Sequence, residues 1–288
     1  MDTEPRVNQS SLPELQETGW RLSRQIIEMT TQAGSGHPSS SLSVVDILTA
    51  LFFGGILRYD PFQPGSPDRD RFILSKGHAA PALYVVLAAA GFFEPELLAT
   101  FRQLESPLEG HPNMRLLPGV EASTGSLGQG LSIGLGHALA ARVDQRSYRV
   151  YVLIGDGEAQ EGQIWEASMA AAKYQVDNLT AILDYNRFQQ TGPLDEVMPA
   201  LDPVVDKWRA FGWHIFETDG HEILDILDVF RQAQAVVGKP QIIIAHTKKG
   251  KGLSPFEKDA VNRKHGVPLT AEEAEIALAE LNQRYGYE

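Results

Sequence analysis

Asp156 lies in Gly155-Asp156-Gly157, and Asn186 closes Asp184-Tyr185-Asn186 30 positions later. A carboxylate and an amide oxygen are hard ligands of the kind that Mg²⁺ takes together with phosphate oxygens, water and a main-chain carbonyl. The flanking Gly155 and Gly157 permit a tight turn and let the backbone approach a bulky anion closely. The chemistry this pair suggests is a cation clamping a diphosphate. Gly-Asp-Gly is also an ordinary turn after a strand. Asp184 competes with Asn186, because residues two apart share a face if the strand continues.

Those residues need a frame. Each follows an apolar run, residues 148–154 before Asp156 and residues 179–183 before Asn186, and both runs read as buried parallel strands. Residues 163–173 have helical composition and make the crossover between them. Asp156 and Asn186 would then meet at the carboxyl edge of the sheet, where open α/β sheets place ligands. Further strands are expected at 71–74, 213–218 and 241–246. Helices are expected at 14–31, 43–53, 82–91, 94–104, from the glycine-rich 123–130 segment through 141, at 223–237, and after the cap Thr270. The small residues of the helix through 141 suit close packing against another backbone, or ordinary core. Strand and helix alternate throughout. The fold class is therefore α/β, a doubly wound parallel sheet with helices on both faces, with residues 1–268 as one domain and 269–288 as a C-terminal helical extension.

Composition narrows the function. The chain has 288 residues, 43% apolar and 22% charged, which is globular. A net charge of −12 argues against nucleic acid or an anionic membrane as partner. The absence of cysteine excludes a disulfide framework, a thiolate metal site and a cysteine nucleophile. The acidic start, Met1-Asp2-Thr3-Glu4-Pro5, does not read as a secretory signal, and no apolar run approaches the ~20 residues of a membrane span. A cytoplasmic protein is expected.

Three histidines, His37, His78 and His111, follow glycine on loops, two of them held by Pro38 and Pro112. Proline fixes the backbone and glycine removes steric cover, so each imidazole is presented to a small polar ligand. Neutral rings there could hydrogen-bond substrate oxygens or pass protons near pH 7, although a loop histidine is more commonly just solvated. A zinc site from these three is disfavoured by the lack of an i, i+4 pair. His137, His214 and His246 read as structural, and His221 as a turn, a cap or a ligand.

Taken in order, Ser35-Gly36-His37-Pro38, the 70–78 segment ending Ser75-Lys76-Gly77-His78, Gly110-His111-Pro112, Thr124-Gly125-Ser126-Leu127-Gly128-Gln129-Gly130, and Gly155-Asp156-Gly157 with Asn186 closely resemble the transketolase family. The resemblance covers roughly residues 14–268 and only the first half of a full-length member. It implies a thiamine diphosphate cofactor with Mg²⁺ and transfer of a two-carbon ketol unit from a ketose donor to an aldose acceptor, the sugars being phosphates in the family. The half that binds the aminopyrimidine ring and carries its activating glutamate is missing. That implies the N-terminal subunit of a split enzyme, completed by a C-terminal transketolase subunit in a heterotetramer of two of each chain.

By motif match, Asp156, Asn186 and the carbonyl of Phe188 would hold Mg²⁺, with Gly157 at the diphosphate. His78 would touch the diphosphate and the substrate side of the cofactor, and Gly125 and Leu127 would lie against the thiamine rings. His37 and His111 would face substrate hydroxyls. Glu161 matches a family glutamate that relays charge near the subunit interface, or it is a first-turn helix carboxylate. Two departures stand out. Ser126 replaces a family proline, and Asn262 occupies the position of a late family histidine, leaving His265 as a stand-in. The resemblance also admits half of a 1-deoxyxylulose-5-phosphate synthase-like enzyme, and Asn262 admits a non-catalytic scaffold. A plain dinucleotide-binding protein is disfavoured, because no Gly-x-Gly-x-x-Gly follows an early strand.

Overall fold

The computed structural model describes residues 6–286. The strands are β1 (Arg6–Gln9), β2 (Gly54–Tyr59), β3 (Arg71–Leu74), β4 (Val150–Gly155), β5 (Leu179–Tyr185), β6 (Phe188–Gln189), β7 (Gly192–Pro193), β8 (His214–Asp219) and β9 (Gln241–His246). The α-helices are α1 (Leu12–Ala33), α2 (Pro38–Leu42), α3 (Val45–Phe53), α4 (Ala80–Ala89), α5 (Gln129–Val143), α6 (Gly162–Lys173), α7 (Leu194–Val197), α8 (Val204–Ala210), α9 (Ile223–Gln234), α10 (Ser254–Glu257) and α11 (Ala271–Tyr285).

Strands β3, β4, β5, β9 and β8 form, in that order, a fully parallel sheet. Every residue of β4 and β5 is buried, as continuous apolar runs require when helices cover both faces. The two-residue period sorts the side chains. Tyr151 and Leu153 join the core beneath α1, α3, α4, α9 and α11, whereas Val150, Val152 and Ile154 join the core beneath α5, α6 and α8. The expected doubly wound architecture is present. Its strand ends are level, Gly155 pairing with Asp184 and Asp184 with Ala245, so the loops that leave them start from one line.

Close packing accounts for the small residues of α5. A Cβ on Gly134 would sit 2.4 Å from Val152 Cγ2, so only glycine lets this helix lie on β4. Two elements are added to the expected set, and one local expectation is corrected. β1 and β2 form an antiparallel pair that the sequence did not announce, because Gly54-Gly55 interrupts the apolar pattern. The expected 43–53 helix is preceded by the separate short helix α2. The expected 94–104 helix is a 3₁₀ segment, Pro95–Thr100, and the left-handed Arg102 and Glu105 beyond it cannot continue a helix.

The last helix follows the Thr270 and Glu273 capping box. Its Ala274, Ala277 and Leu281 are buried in the same core as α1, and Trp20 Nε1 on α1 donates to Asn282 Oδ1 at 3.1 Å. Among the described residues, no helix is long and apolar enough to cross a membrane.

Candidate functional site

At the end of β4 the chain turns at Asp156, which is buried and keeps one ladder bond, donating its N–H to the carbonyl of Asp184 at 3.3 Å. Its carboxylate accepts from Gly157 N at 2.8 Å and from Arg187 N at 2.6 Å. Arg187 itself sits in the left-handed region, with φ +68°. A carboxylate has about four acceptor positions, so both oxygens keep capacity for a cation. Burial, and then the neighbouring Asp184, push Asp156 up to about 7.

Asn186 donates through Nδ2 to Asp184 Oδ2 at 2.7 Å, and its Oδ1 accepts from Phe188 N at 3.0 Å. That contact fixes the amide with its oxygen on the Phe188 side. Asp184 and Asn186 differ in their partners. Asp184 is fully buried and already holds the Lys76 ammonium, the hydroxyls of Ser43 and Thr247, and the Asn186 amide. Burial raises its pKa, but Lys76 and the hydroxyl bonds outweigh burial and hold Asp184 below the ordinary carboxylate range. Asp184 is thus occupied by four donors, whereas Asn186 Oδ1 accepts from one and keeps a lone pair.

Asp156, Gly157, Glu161, Asn186 and Phe188 line one cavity of about 450 Å³, together with His37, His78, His111, Gly125 and Leu127. The ten residues assigned by motif match thus converge. A Cβ on Gly157 would lie 2.8 Å from Gln189 Cβ, so the bare backbone faces the opposite wall. His37, His78 and His265 form a triangle, with ring centroids 5.1, 5.3 and 5.3 Å apart. Burial and then His111 lower His37 to about 4, while burial and then Lys249 lower His265 to about 3. His78 falls well below its ordinary value through burial and then Lys76, and His111 is lowered chiefly by burial. These rings are neutral near pH 7, each able to donate from one nitrogen and accept at the other.

Sequence reasoning assigns no role to three groups here. Lys76 lies inside one of the motifs, but a lysine after a strand reads as solvated. Glu158 is buried and accepts from Ser75 Oγ, from Gly128 N at 2.8 Å and from Gly155 N at 3.0 Å, joining three of the loops. Lys249 is lowered to about 7 by burial and then Lys76. Its Nζ lies 2.6 Å from His265 Nδ1 and 2.7 Å from Asn262 Oδ1. Asn262 lines an adjacent cavity and donates to Gln189 O at 2.6 Å, so His265, three residues later, is the one that enters the site.

Residues 21–288 match the family model of the transketolase thiamine diphosphate binding domain. The chain belongs to the transketolase family. It is 46% identical, over 91% of both chains, to one of the subunits of the apulose-4-phosphate transketolase of Phocaeicola vulgatus. With the 6-deoxy-6-sulfo-D-fructose transketolase subunit SqwG of Clostridium sp. it shares 45% identity, over 89% of this chain and 92% of that one. Human transketolase is 42% identical over 98% of this chain, but over only 44% of its own length. The crystal structure of transketolase from Campylobacter jejuni superposes with a TM-score of 0.88 at 32% identity, covering 97% of this chain and 44% of that one. The chain thus spans less than half of the full-length transketolases it matches. Its fold is that of the transketolase thiamine diphosphate-binding domain, and thiamine diphosphate is the cofactor this transketolase domain takes.

Proposed function

We propose that this chain is the N-terminal subunit of a split transketolase, moving a two-carbon ketol unit from a ketose to an aldose when paired with a separate C-terminal subunit. The observation that carries the reading is the single cavity that gathers the Asp156 and Asn186 pair, the glycine walls and the loop histidines, in a chain coextensive with two relatives named as transketolase subunits. The complex would be a heterotetramer of two of each chain, acting on sugar phosphates.

The donor set fits a magnesium diphosphate. Asp156 keeps free lone pairs, Asn186 Oδ1 is held in place by its own amide contacts, and the Phe188 carbonyl follows on the same turn. These three would hold Mg²⁺, and Gly157 and His78 would hold the diphosphate. Thiamine diphosphate, once bound, supplies the carbanion chemistry. The protein supplies position and polarity. His37 and His111 offer donors and acceptors to substrate hydroxyls without placing positive charge there. Gly125 and Leu127 give a wall for flat rings, and Glu161 at the start of α6 faces the same space. The scaffold alternative rests on Asn262, and the presence of His265 in the cavity lining supports the enzyme reading over it.

The test is reconstitution with a C-terminal transketolase subunit. Ketol transfer should require both chains and Mg²⁺, and Asp156→Ala should abolish it while leaving the fold intact. Full activity of this chain alone overturns the split reading. Unchanged activity of the Asp156→Ala complex overturns the metal assignment.

A further inference from the structure

The segment that follows β9 is pinned residue by residue. Thr247 gives its hydroxyl to Asp184. The amide of Lys248 donates to His221 Nε2 at 2.8 Å, the amide of Gly250 donates to the carbonyl of Ser39 at 3.0 Å, and Lys251 Nζ donates to Asp46 Oδ2 at 2.6 Å. Lys249 stands between two fixed amides, and its side chain is the one that reaches His265 and Asn262.

His221 has a defined role in that arrangement. Because Nε2 accepts the Lys248 amide, a neutral ring must carry its proton on Nδ1, and that proton goes to Asp46 Oδ2 at 2.9 Å. Asp46 is buried in the first turn of α3, far from the strand ends in sequence, and it selects the tautomer that leaves Nε2 free to accept. His221 itself opens onto a separate cleft with His246, Lys248 and Arg284, so it touches nothing that the main cavity would hold.

We infer that His221, oriented by Asp46, is a positioning residue that aims Lys249 at His265 by fixing the main chain one residue before it. A lysine ammonium ends a flexible four-carbon stem, so a small rotation at the backbone becomes a large displacement at the tip. In a pre-organised site, an error of ~1 Å can cost ~10²-fold in rate. The catalytic meaning of this inference rests on the cavity being the cofactor site, but its geometric content does not.

The test uses two substitutions that divide the two functions of the imidazole. His221→Gln places an amide oxygen near the position of Nε2 and so restores the acceptor for Lys248. His221→Asn restores a group opposite Asp46 but falls short of Lys248. Side-chain ¹⁵N shifts of the histidines are recorded on the full chain, with thermal unfolding to confirm folding, followed by kcat and KM in the reconstituted complex. His221→Gln should keep the His265 nitrogen shifts and a kcat within about threefold of wild type. His221→Asn should move the His265 shifts and lower kcat about tenfold. If His221 merely neutralised Asp46, the order of the two variants would reverse. Unmoved His265 shifts in His221→Asn overturn the inference, as do displaced shifts in a folded His221→Gln, which alone suffices if the Asn variant does not fold. Failure of the wild-type complex to bind thiamine diphosphate would remove the proposed function and leave these shifts unaffected.

Discussion

Lys76, on the loop after β3, buries its ammonium against Asp184 at the end of β5, two strands away, and also donates to the carbonyl of Ser40 at 3.0 Å. The pair neutralises the carboxylate that lies beneath the candidate cation ligands. Lys76→Met should strand Asp184 as an unpaired buried charge and cost about 3–5 kcal/mol. Urea unfolding of Lys76→Met, Asp184→Leu and the double variant checks this. The double variant should recover much of the loss, and strictly additive single effects would show that the two groups are not coupled.

Glu158 gives a second prediction. Its carboxylate ties Ser75, Gly128 and Gly155 together, and burial raises its pKa above the usual carboxylate range. In Glu158→Gln one acceptor becomes a donor facing a backbone N–H, at a cost of about 1–3 kcal/mol. Chemical denaturation measures the cost. Titration with thiamine diphosphate should show weaker binding, because the glycine-rich loops that it holds form the cavity wall.

Much of the frame was legible because buried parallel strands advertise themselves as unbroken apolar runs, and β9 coincides with the expected 241–246 segment. The Asp156 and Asn186 pair was legible because each follows such a run. Lys76, Glu158 and Lys249 were not, since a charged side chain in a linear sequence reads as solvated and its burial depends on partners far along the chain. Lys76 and Asp184 are 108 residues apart, and no periodicity joins them. The same holds for His221, whose partner Asp46 lies 175 positions earlier.

Stability toward acid offers a third prediction. Asp46 is buried, which raises its pKa, but His221 and Lys251 outweigh burial and hold it below the ordinary value. A depressed folded pKa contributes stability that is full above the unfolded value of ~3.9 and is lost as pH falls through the folded value. Asp46→Asn should therefore cost about 3 kcal/mol near pH 7, where it leaves Lys251 without its carboxylate. The gap from wild type should hold down to about pH 4 and narrow as pH falls further, which denaturant midpoints measured from pH 7 to about pH 2 will reveal. A gap of constant size would refute the assignment.

The C-terminal helix gives a fourth. Thr270 Oγ1 accepts from Glu273 N at 3.2 Å, while Glu273 Oε2 accepts from Thr270 N at 3.1 Å. Thr270→Ala should lower stability by about 1 kcal/mol. Because α11 shares its core with α1, the loss should appear as a shift of the single global transition rather than as fraying of an appended helix. Calorimetry distinguishes the two.

The triangle of His37, His78 and His265 has an electrical consequence. With centroids 5.1 to 5.3 Å apart, a proton on any one ring repels a proton arriving on the next, so the trio charges in separated, anticooperative steps far below neutrality. Isolated histidines would buffer the lumen between about pH 6 and 7, whereas this cluster does not. The three rings stay neutral over that interval, so the change of charge around the cavity near pH 7 falls to Asp156 and to Lys249 beside His265.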